Sequence, residues 1–160
     1  MNRNKLFLLG GGGHCKSVIE SIEAEGKYEI AGISEMPERL GESFSGYPVN
    51  ATDADLERLT AEGYSFLITV GQIRNPQPRK RLFEKLKSLG AAVATITDPA
   101  AVVSTRAAIG EGTVILRHAF VNSGAVIGHN CIINSGAIVE HDTLIGNHVH
   151  ISTRAIVNGD

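Results

Sequence analysis

Three adjacent ionisable residues stand out near the end of the chain, in a stretch that otherwise carries few charges. They are Glu140, His141 and Asp142. A carboxylate beside an imidazole fixes its tautomer and raises its basicity, so that the ring can accept a proton near neutral pH. We therefore predict that His141 is a general base oriented by Asp142, with Glu140 as a second candidate partner. The alternative is a solvated corner that happens to carry charged side chains.

A second histidine, His150, falls in a slot that is apolar elsewhere in the same stretch. The residues in the equivalent slots are Val114, Val126, Ile138 and Ile156. A polar residue in such a slot predicts contact with a ligand or another subunit, and the alternative is a histidine satisfied within the core. Cys131 falls at an inward position for small residues, so no cysteine nucleophile is predicted.

The element that must position these side chains is a repeat of six residues. Every sixth residue is Ile or Val, through Val103, Ile109, Ile115, Val121, Ile127, Ile133, Val139, Ile145, Ile151 and Val157. This period fits neither an α-helix nor an isolated strand, and it predicts a parallel β-helix with three hexads per coil. Positions 18 apart, such as Asn134 and Ser152, should then stack about 4.8 Å apart. A Gly or Asn directly after an anchor is expected to permit the bend.

The N-terminal part alternates strand and helix patterns, which predicts half of a Rossmann-like fold. Its first strand runs into four glycines, Gly10 to Gly13, at the start of a helix. Such a turn lets a phosphate approach the backbone, although a tight turn that needs positive φ would also use glycine. The second strand ends in Ser34-Glu35, where a carboxylate could hold a ribose or uracil. Asp98-Pro99 predicts a boundary between domains 1–99 and 100–160.

Composition limits the partners and the compartment. The net charge of −2 at pH 7 gives no reason to expect nucleic acid or an anionic membrane as a partner. Cys15 and Cys131 lie in unrelated contexts and suggest no metal or disulfide framework, which suits the cytoplasm. The apolar run near the N-terminus is too short for a signal peptide, and no run approaches a membrane span.

Several motifs together resemble a known family. They are Gly10-Gly11-Gly12-Gly13-His14-Cys15-Lys16, then Thr69-Val70-Gly71, then Ile133-Asn134-Ser135-Gly136-Ala137-Ile138-Val139-Glu140-His141-Asp142, then Ile145-Gly146-Asn147-His148-Val149-His150-Ile151-Ser152. The chain is similar to bacterial sugar acetyltransferases of the sialic-acid O-acetyltransferase and UDP-4-amino-sugar N-acetyltransferase type. The resemblance implies a left-handed β-helix and a homotrimer with its active site between neighbouring subunits.

The resemblance also implies roles for individual residues. His141 would be the catalytic base, Asp142 would raise its basicity, and His150 would contact acetyl-CoA. The substrate contacts predicted in the nucleotide-sugar pocket are Gly12, Gly13, His14, Ser34 and Glu35, and Asn134 is predicted to contact the substrate from the repeat. The implied activity is acetyl transfer from acetyl-CoA to an amine or hydroxyl of a sugar or UDP-sugar, with no metal.

The chain departs from the family pattern in places. Cys15 stands where Gly or Ala is usual, and Ser34-Glu35 replaces an Asp pair, so the nucleotide stays open. The sequence ends at Asp160 in mid-hexad, so the CoA groove is expected to be incomplete in these residues. Two alternatives stay open: a non-catalytic sugar-nucleotide-binding or trimerising module, and a zinc enzyme of the γ-carbonic-anhydrase kind.

Overall fold

The computed structural model describes residues 3–159 and divides the chain into two compact units. The first unit ends at Ala94 and is α/β, whereas the second begins at Thr95 and consists of short strands. The predicted fold class is therefore confirmed.

The first unit is built on one six-stranded sheet. Its strands are β1 (Asn4–Leu9), β2 (Tyr28–Ser34), β3 (Ser43–Phe44), β4 (Tyr47–Ala51), β5 (Ser65–Ile68) and β6 (Ala92–Val93), in the order β3-β4-β2-β1-β5-β6. All neighbours are parallel except β3 and β4, which form an antiparallel hairpin. The carboxyl ends of β1, β2, β4 and β5 therefore lie along one edge of the sheet, where ligands bind in open α/β folds.

Three α-helices connect the parallel strands: α1 (Gly13–Glu25), α2 (Leu56–Ala61) and α3 (Gln77–Ser88). Short 3-10 helices span Pro37–Arg39 and Asp53–Asp55. Helix α1 ends at a glycine C-cap, because Gly26 has φ +69° and its N–H donates to the carbonyl of Ile22. Thr52 is the N-cap of the second of these 3-10 helices and forms a capping box with Asp55.

The second unit is a coil of two-residue strands. They are β7 (Ile96–Thr97), β8 (Val102–Val103), β9 (Ala108–Ile109), β10 (Val114–Ile115), β11 (Phe120–Val121), β12 (Val126–Ile127), β13 (Ile132–Ile133), β14 (Ile138–Val139), β15 (Leu144–Ile145), β16 (His150–Ile151) and β17 (Ile156–Val157). They form three parallel sheets in the orders β16-β13-β10-β7, β17-β14-β11-β8 and β15-β12-β9. Paired residues such as Val114 and Ile132 are 18 apart, so three hexads complete one coil as predicted.

The interior of the coil holds the anchors and the small residues that follow them. Ile115, Val121, Ile133 and Val139 are fully buried, and Ala125, Cys131 and Ala137 pack against them. An inward side chain from every strand fills the narrow centre of the coil. The six-residue spacing of Ile and Val in the sequence therefore corresponds to the side chains of this core.

The bends of the coil arise at a different position from the one the sequence suggests. Positive φ recurs three residues after the anchor, at Gly112, His118, Gly124, Asn130, Gly136, Asp142, His148 and Arg154. The interpretation that a Gly or Asn directly after the anchor makes the bend is therefore wrong. Gly110 is needed for another reason, because a Cβ there would lie 2.5 Å from the carbonyl carbon of Gly128 in the next coil.

Two further features differ from the sequence expectation. The coil begins at Ile96, before the expected boundary after residue 99, since Ile96 and Thr97 already pair with β10. The segment after β2, which carried no readable pattern, forms the β3–β4 hairpin. Ser45 (φ +50°) and Gly46 (φ +86°) make its two-residue turn. Among residues 3–159, every helix is too short or too polar to cross a bilayer.

Candidate functional site

His141 and Asp142 form the turn that joins β14 to β15. Their side chains are 58% and 68% exposed, so the imidazole faces outward and is accessible to a ligand. His141 Nδ1 lies 3.0 Å from Asp142 Oδ2. A carboxylate can only accept, so Nδ1 carries the hydrogen and Nε2 holds the lone pair. The pair thus presents a basic nitrogen to the surroundings, which is the arrangement that a general base requires.

Glu140 is engaged elsewhere. Its carboxylate accepts a hydrogen bond of 2.6 Å from the side-chain amide of Asn122, one coil earlier. Among the residues that the structure describes, no hydrogen bond joins Glu140 to His141. Glu140 therefore belongs to a ladder along the coil, and the structure brings together only His141 and Asp142 of the three predicted catalytic residues.

Two glycines that sequence reasoning missed make room for this pair. A Cβ at Gly124 would overlap Asp142 Oδ1 and lie 3.2 Å from its Cγ. A Cβ at Gly159 would lie 3.0 Å from His141 Cε1 and 2.6 Å from its carbonyl oxygen. Gly124 precedes Asp142 by 18 residues and Gly159 follows His141 by 18, so the stacking period was the signal that could have found them.

Asn134 and His150 are brought together in the same unit. The Asn134 side-chain amide Nδ2 lies 3.0 Å from His150 Nε2, and its Oδ1 accepts the backbone N–H of Ser135 at 2.8 Å. His150 lies on β16 opposite Ile132 and is partly exposed. The Asn134 side chain therefore contacts His150, the residue that is predicted to contact acetyl-CoA.

The glycine run of the first unit separates into two parts. Gly10 has φ +104° and packs against Val70, so the fold itself requires a glycine there. At Gly12 and Gly13 a Cβ would meet nothing within 4 Å. Gly12 is the N-cap of α1, and the first turn of that helix carries no acidic residue. This exposed helix N-terminus favours an anion, and His14 lies within its first turn.

Glu35 closes this loop from the side. Its Oε1 accepts the backbone N–H of Gly11 at 2.6 Å and the Arg39 guanidinium at 2.9 Å. Arg39 in turn donates to the carbonyl of Gly11 and stacks 5.8 Å from the ring centre of Phe44. The carboxylate that the sequence suggested for a ribose or uracil is therefore used to hold the loop.

A cavity of about 570 Å³ opens at the carboxyl edge of the sheet. Ser34 and Glu35 line it, whereas Gly12, Gly13 and His14 lie outside its lining. Its apolar wall includes Leu9, Val70 and Leu82, and its polar residues include Asp53, Arg81 and Lys85. Sequence reasoning missed these last three, although the spacing of Arg81 and Lys85 on one helix face was visible. The volume and mixed lining suit a small organic anion with an apolar part.

Asp53 is an acidic residue in the lining of the cavity. Ser34 is buried, and its hydroxyl donates to Asp53 Oδ1 at 3.4 Å. The Lys85 ammonium donates to the Asp53 carbonyl at 2.9 Å. The two contacts fix Asp53 at the start of its short 3-10 helix.

Cys15 lies behind the glycine loop and is fully buried. Burial raises the pKa of its thiol to about 11, while a hydrogen bond with Thr69 acts in the opposite direction and the charge of Glu35 adds to the increase. This environment keeps the thiol protonated and unreactive. No group of three His, Cys, Asp or Glu side chains within residues 3–159 is arranged to hold a metal ion.

The sequence matches a family model described as the PglD N-terminal domain over residues 5–86, just over half of the 160 residues. The chain belongs to this family. A curated relative of the PglD-type chain is the UDP-N-acetylbacillosamine N-acetyltransferase of Bacillus subtilis (strain 168). It is 38% identical over 113 residues, which are 68% of this chain and 50% of that protein. The chain thus spans about half the length of the curated relative.

Two solved structures have the same fold as this chain over nearly its whole length. The acetyltransferase domain of PglB from Neisseria gonorrhoeae FA1090 has a TM-score of 0.85 at 36% identity, covering 97% of this chain and 73% of its own. PerB from Caulobacter crescentus, solved with CoA and GDP-perosamine, has a TM-score of 0.88 at 31% identity, covering 98% and 72%. The predicted resemblance of this PglD-type chain to bacterial sugar acetyltransferases is therefore confirmed.

Proposed function

We propose that this chain catalyses acetyl transfer from acetyl-CoA to an amino group on a nucleotide-linked sugar. The observation that carries the proposal is the exposed His141–Asp142 pair, whose Nε2 is left as the basic nitrogen. The similar proteins include a UDP-N-acetylbacillosamine N-acetyltransferase, a perosamine N-acetyltransferase solved with CoA and GDP-perosamine, and an acetyltransferase domain solved with acetyl-CoA. These relatives favour an amine over a hydroxyl as the acceptor.

The proposed reaction needs no covalent enzyme intermediate, because a thioester is already activated toward an amine. The sugar nitrogen attacks the acetyl carbonyl carbon, and His141 Nε2 takes the proton that the nitrogen loses. The C–S bond breaks, CoA leaves as a thiolate, and the proton held by His141 can return to the sulfur. Asp142 stabilises the imidazolium that forms between the two proton transfers.

The first unit is proposed to bind the nucleotide part of the acceptor, the nucleotide-linked sugar. Support comes from the 570 Å³ cavity at the carboxyl edge and from the open N-terminus of α1 at Gly12 and Gly13. Asp53, Arg81 and Lys85 supply both signs of charge to the cavity. We keep Ser34 as a substrate contact and assign Glu35 to holding the glycine loop.

We further propose that the protein works as a homotrimer. Apolar side chains remain exposed on two faces of the coil: Val126 (44%) and Leu144 (78%) on one, and Val102 (61%) and Ile156 (62%) on the other. His141 lies at the corner between these faces, on the turn from β14 to β15. Three-fold closure would cover such faces and bring a neighbour beside His141.

Because Cys15 and Cys131 are buried without forming a disulfide, we place the protein in the reducing cytoplasm.

The test is an acetyl-transfer assay with acetyl-CoA and a panel of UDP-linked amino sugars, GDP-linked amino sugars and sialic acid. CoA release is followed with a thiol reagent and the product is identified by mass. We expect transfer to a nucleotide-linked amine and a loss of at least ~10²-fold in His141→Ala, with unchanged circular dichroism. No transfer to any of these acceptors would refute the proposed function, and wild-type turnover in His141→Ala would refute the assignment of the base.

A Leu144→Glu variant tests the trimer separately. A buried charge at the interface should dissociate the assembly, so we expect a trimeric mass for the wild type and a monomeric mass for the variant in light scattering. A wild-type protein that stays monomeric at assay concentrations would contradict this part of the proposal.

A further inference from the structure

The side-chain amide of Asn134 has a fixed orientation. Its Oδ1 accepts the backbone N–H of Ser135 at 2.8 Å, and only the oxygen of the amide can accept from a backbone N–H. The nitrogen Nδ2 must therefore be the atom that points toward His150, 3.0 Å from ring nitrogen Nε2.

This orientation determines where His150 carries its proton. An amide NH₂ group only donates, so Nε2 must be the unprotonated, accepting nitrogen of the ring. The proton of the neutral imidazole then lies on Nδ1. We propose that Asn134 is a positioning residue that holds His150 as the neutral Nδ1–H tautomer, so that His150 acts toward acetyl-CoA only as a hydrogen-bond donor. The partner atom on the ligand would be a carbonyl oxygen of the thioester or of the pantetheine amides.

The repeat alone does not dictate this contact. Asn122 has the same local geometry, because its Oδ1 accepts the backbone N–H of the following residue, Ser123, at 2.7 Å. Its Nδ2 donates to Glu140, 18 residues on and directly above it in the coil. By the same rule Asn134 would reach Ser152, yet its Nδ2 turns to His150, 16 residues on. The departure at Asn134 coincides with a histidine 16 residues on, whereas the equivalent slot after Asn122 holds Ile138.

The slot itself is unusual on this sheet. The residues paired in register with His150 along the sheet are Ile132, Val114 and Ile96, all of them buried. A histidine in such a slot costs apolar contact. A directed hydrogen bond from Asn134 offsets part of that loss and also fixes the tautomer. Because the NH₂ group of Asn134 donates to Nε2, the hydrogen bond fits the Nδ1–H tautomer and not the Nε2–H tautomer.

The direct test is nitrogen NMR of the protein labelled with ¹⁵N-histidine, without ligand. We expect His150, assigned by its loss in His150→Gln, to show an unprotonated Nε2 and a protonated Nδ1. In Asn134→Asp both side-chain oxygens accept, so Ser135 keeps its partner while Nε2 must now carry a proton. A wild-type Nε2–H tautomer would overturn the proposal, and so would a tautomer that is unchanged in Asn134→Asp.

The kinetic test rests on the proposed function. Asn134→Asp should raise KM for acetyl-CoA about tenfold, the size expected for one hydrogen bond, while KM for the sugar nucleotide changes by less than about twofold. His148→Asn is the matched control, because it removes another asparagine–histidine side-chain contact of the coil, Asn130 Nδ2 to His148 Nδ1 at 2.9 Å, and should leave both constants unchanged.

The outcomes separate the two hypotheses. A rise in KM for the sugar instead of acetyl-CoA would show that Asn134 contacts the sugar, and would overturn its positioning role. If the wild type transfers no acetyl group, the proposed function fails, while the NMR result still decides the tautomer.

Discussion

Gly124→Ala is the sharpest available perturbation of the proposed catalytic pair, because it acts on Asp142 without changing any polar side chain. Gly124 has φ +76°, and a Cβ there would overlap Asp142 Oδ1. The carboxylate must move by about 1 Å to reach an ordinary contact distance. The hydrogen bond of 3.0 Å from His141 Nδ1 would then be lost or badly bent.

Two effects of different size follow from this single methyl group. A left-handed alanine should lower the free energy of unfolding by about 1–2 kcal/mol. Displacement of Asp142 should lower kcat by about 10- to 100-fold, since a partner that orients an imidazole contributes that much and misplacement by 1 Å costs a similar factor. KM for acetyl-CoA should stay constant, because Gly124 stacks on Asp142 and not on His150.

Gly136→Ala is the matched control. Gly136 occupies the equivalent corner position with φ +68°, but a Cβ there would meet only the flexible side chain of Arg154, at 3.2 Å from Cγ. Both variants should therefore lose similar stability in urea unfolding, while only Gly124→Ala loses kcat in the acetyl-transfer assay. Equal activity in the two variants, with Asp142 displaced in a crystal structure of Gly124→Ala, would refute the role of the His141–Asp142 contact.

Three other predictions concern the first unit. Because the pKa of Cys15 is raised to about 11, its alkylation at pH 8 should be slower than that of an exposed cysteine by roughly a hundredfold from thiolate fraction alone, measured by mass spectrometry with and without urea. Glu35→Ala should lower the free energy of unfolding by about 2 kcal/mol through loss of the Gly11 hydrogen bond, and should weaken nucleotide binding in calorimetry more than Glu35→Gln does. The N–H of Thr52 holds the pKa of Asp55 below 3.8, so this contribution is present above pH 3.8 and is lost on acidification; Asp55→Asn should show a smaller drop in the urea midpoint between pH 6 and pH 3.

The sequence predicts the second unit well because the Ile and Val residues of its core recur at every sixth position. Each anchor from Val103 to Val157 ends a strand, and the 18-residue register follows from three hexads per coil. The corner positions escaped prediction for a physical reason. Asp, Asn and His tolerate positive φ better than most residues, so Asp142 and His148 occupy left-handed corners without a glycine to mark them.

The first unit is less readable because its site depends on contacts between distant segments. The glycine run indicated a ligand loop, but only the structure shows that Gly10 serves the fold while Gly12 and Gly13 stay open. The use of Glu35 to hold Gly11 depends on tertiary packing 24 residues away along the chain. The β3–β4 hairpin left one local signal, the Ser45-Gly46 turn, which its short strands did not reinforce.

The position of the proposed catalytic pair follows from two glycines in the neighbouring coils. Residues 18 apart stack about 4.8 Å apart at the corners of the coil, and Gly112 and Gly136 likewise lie 18 residues before Asn130 and Arg154. At this corner the preceding coil has Gly124 under Asp142 and the following coil has Gly159 over His141. Two absent side chains thus create the space in which one imidazole and one carboxylate can lie side by side and still face solvent. Because the same spacing that builds the core also fixes these two glycines, a search for glycine 18 residues before and after a His-Asp pair should locate such a site in a hexapeptide repeat from sequence alone.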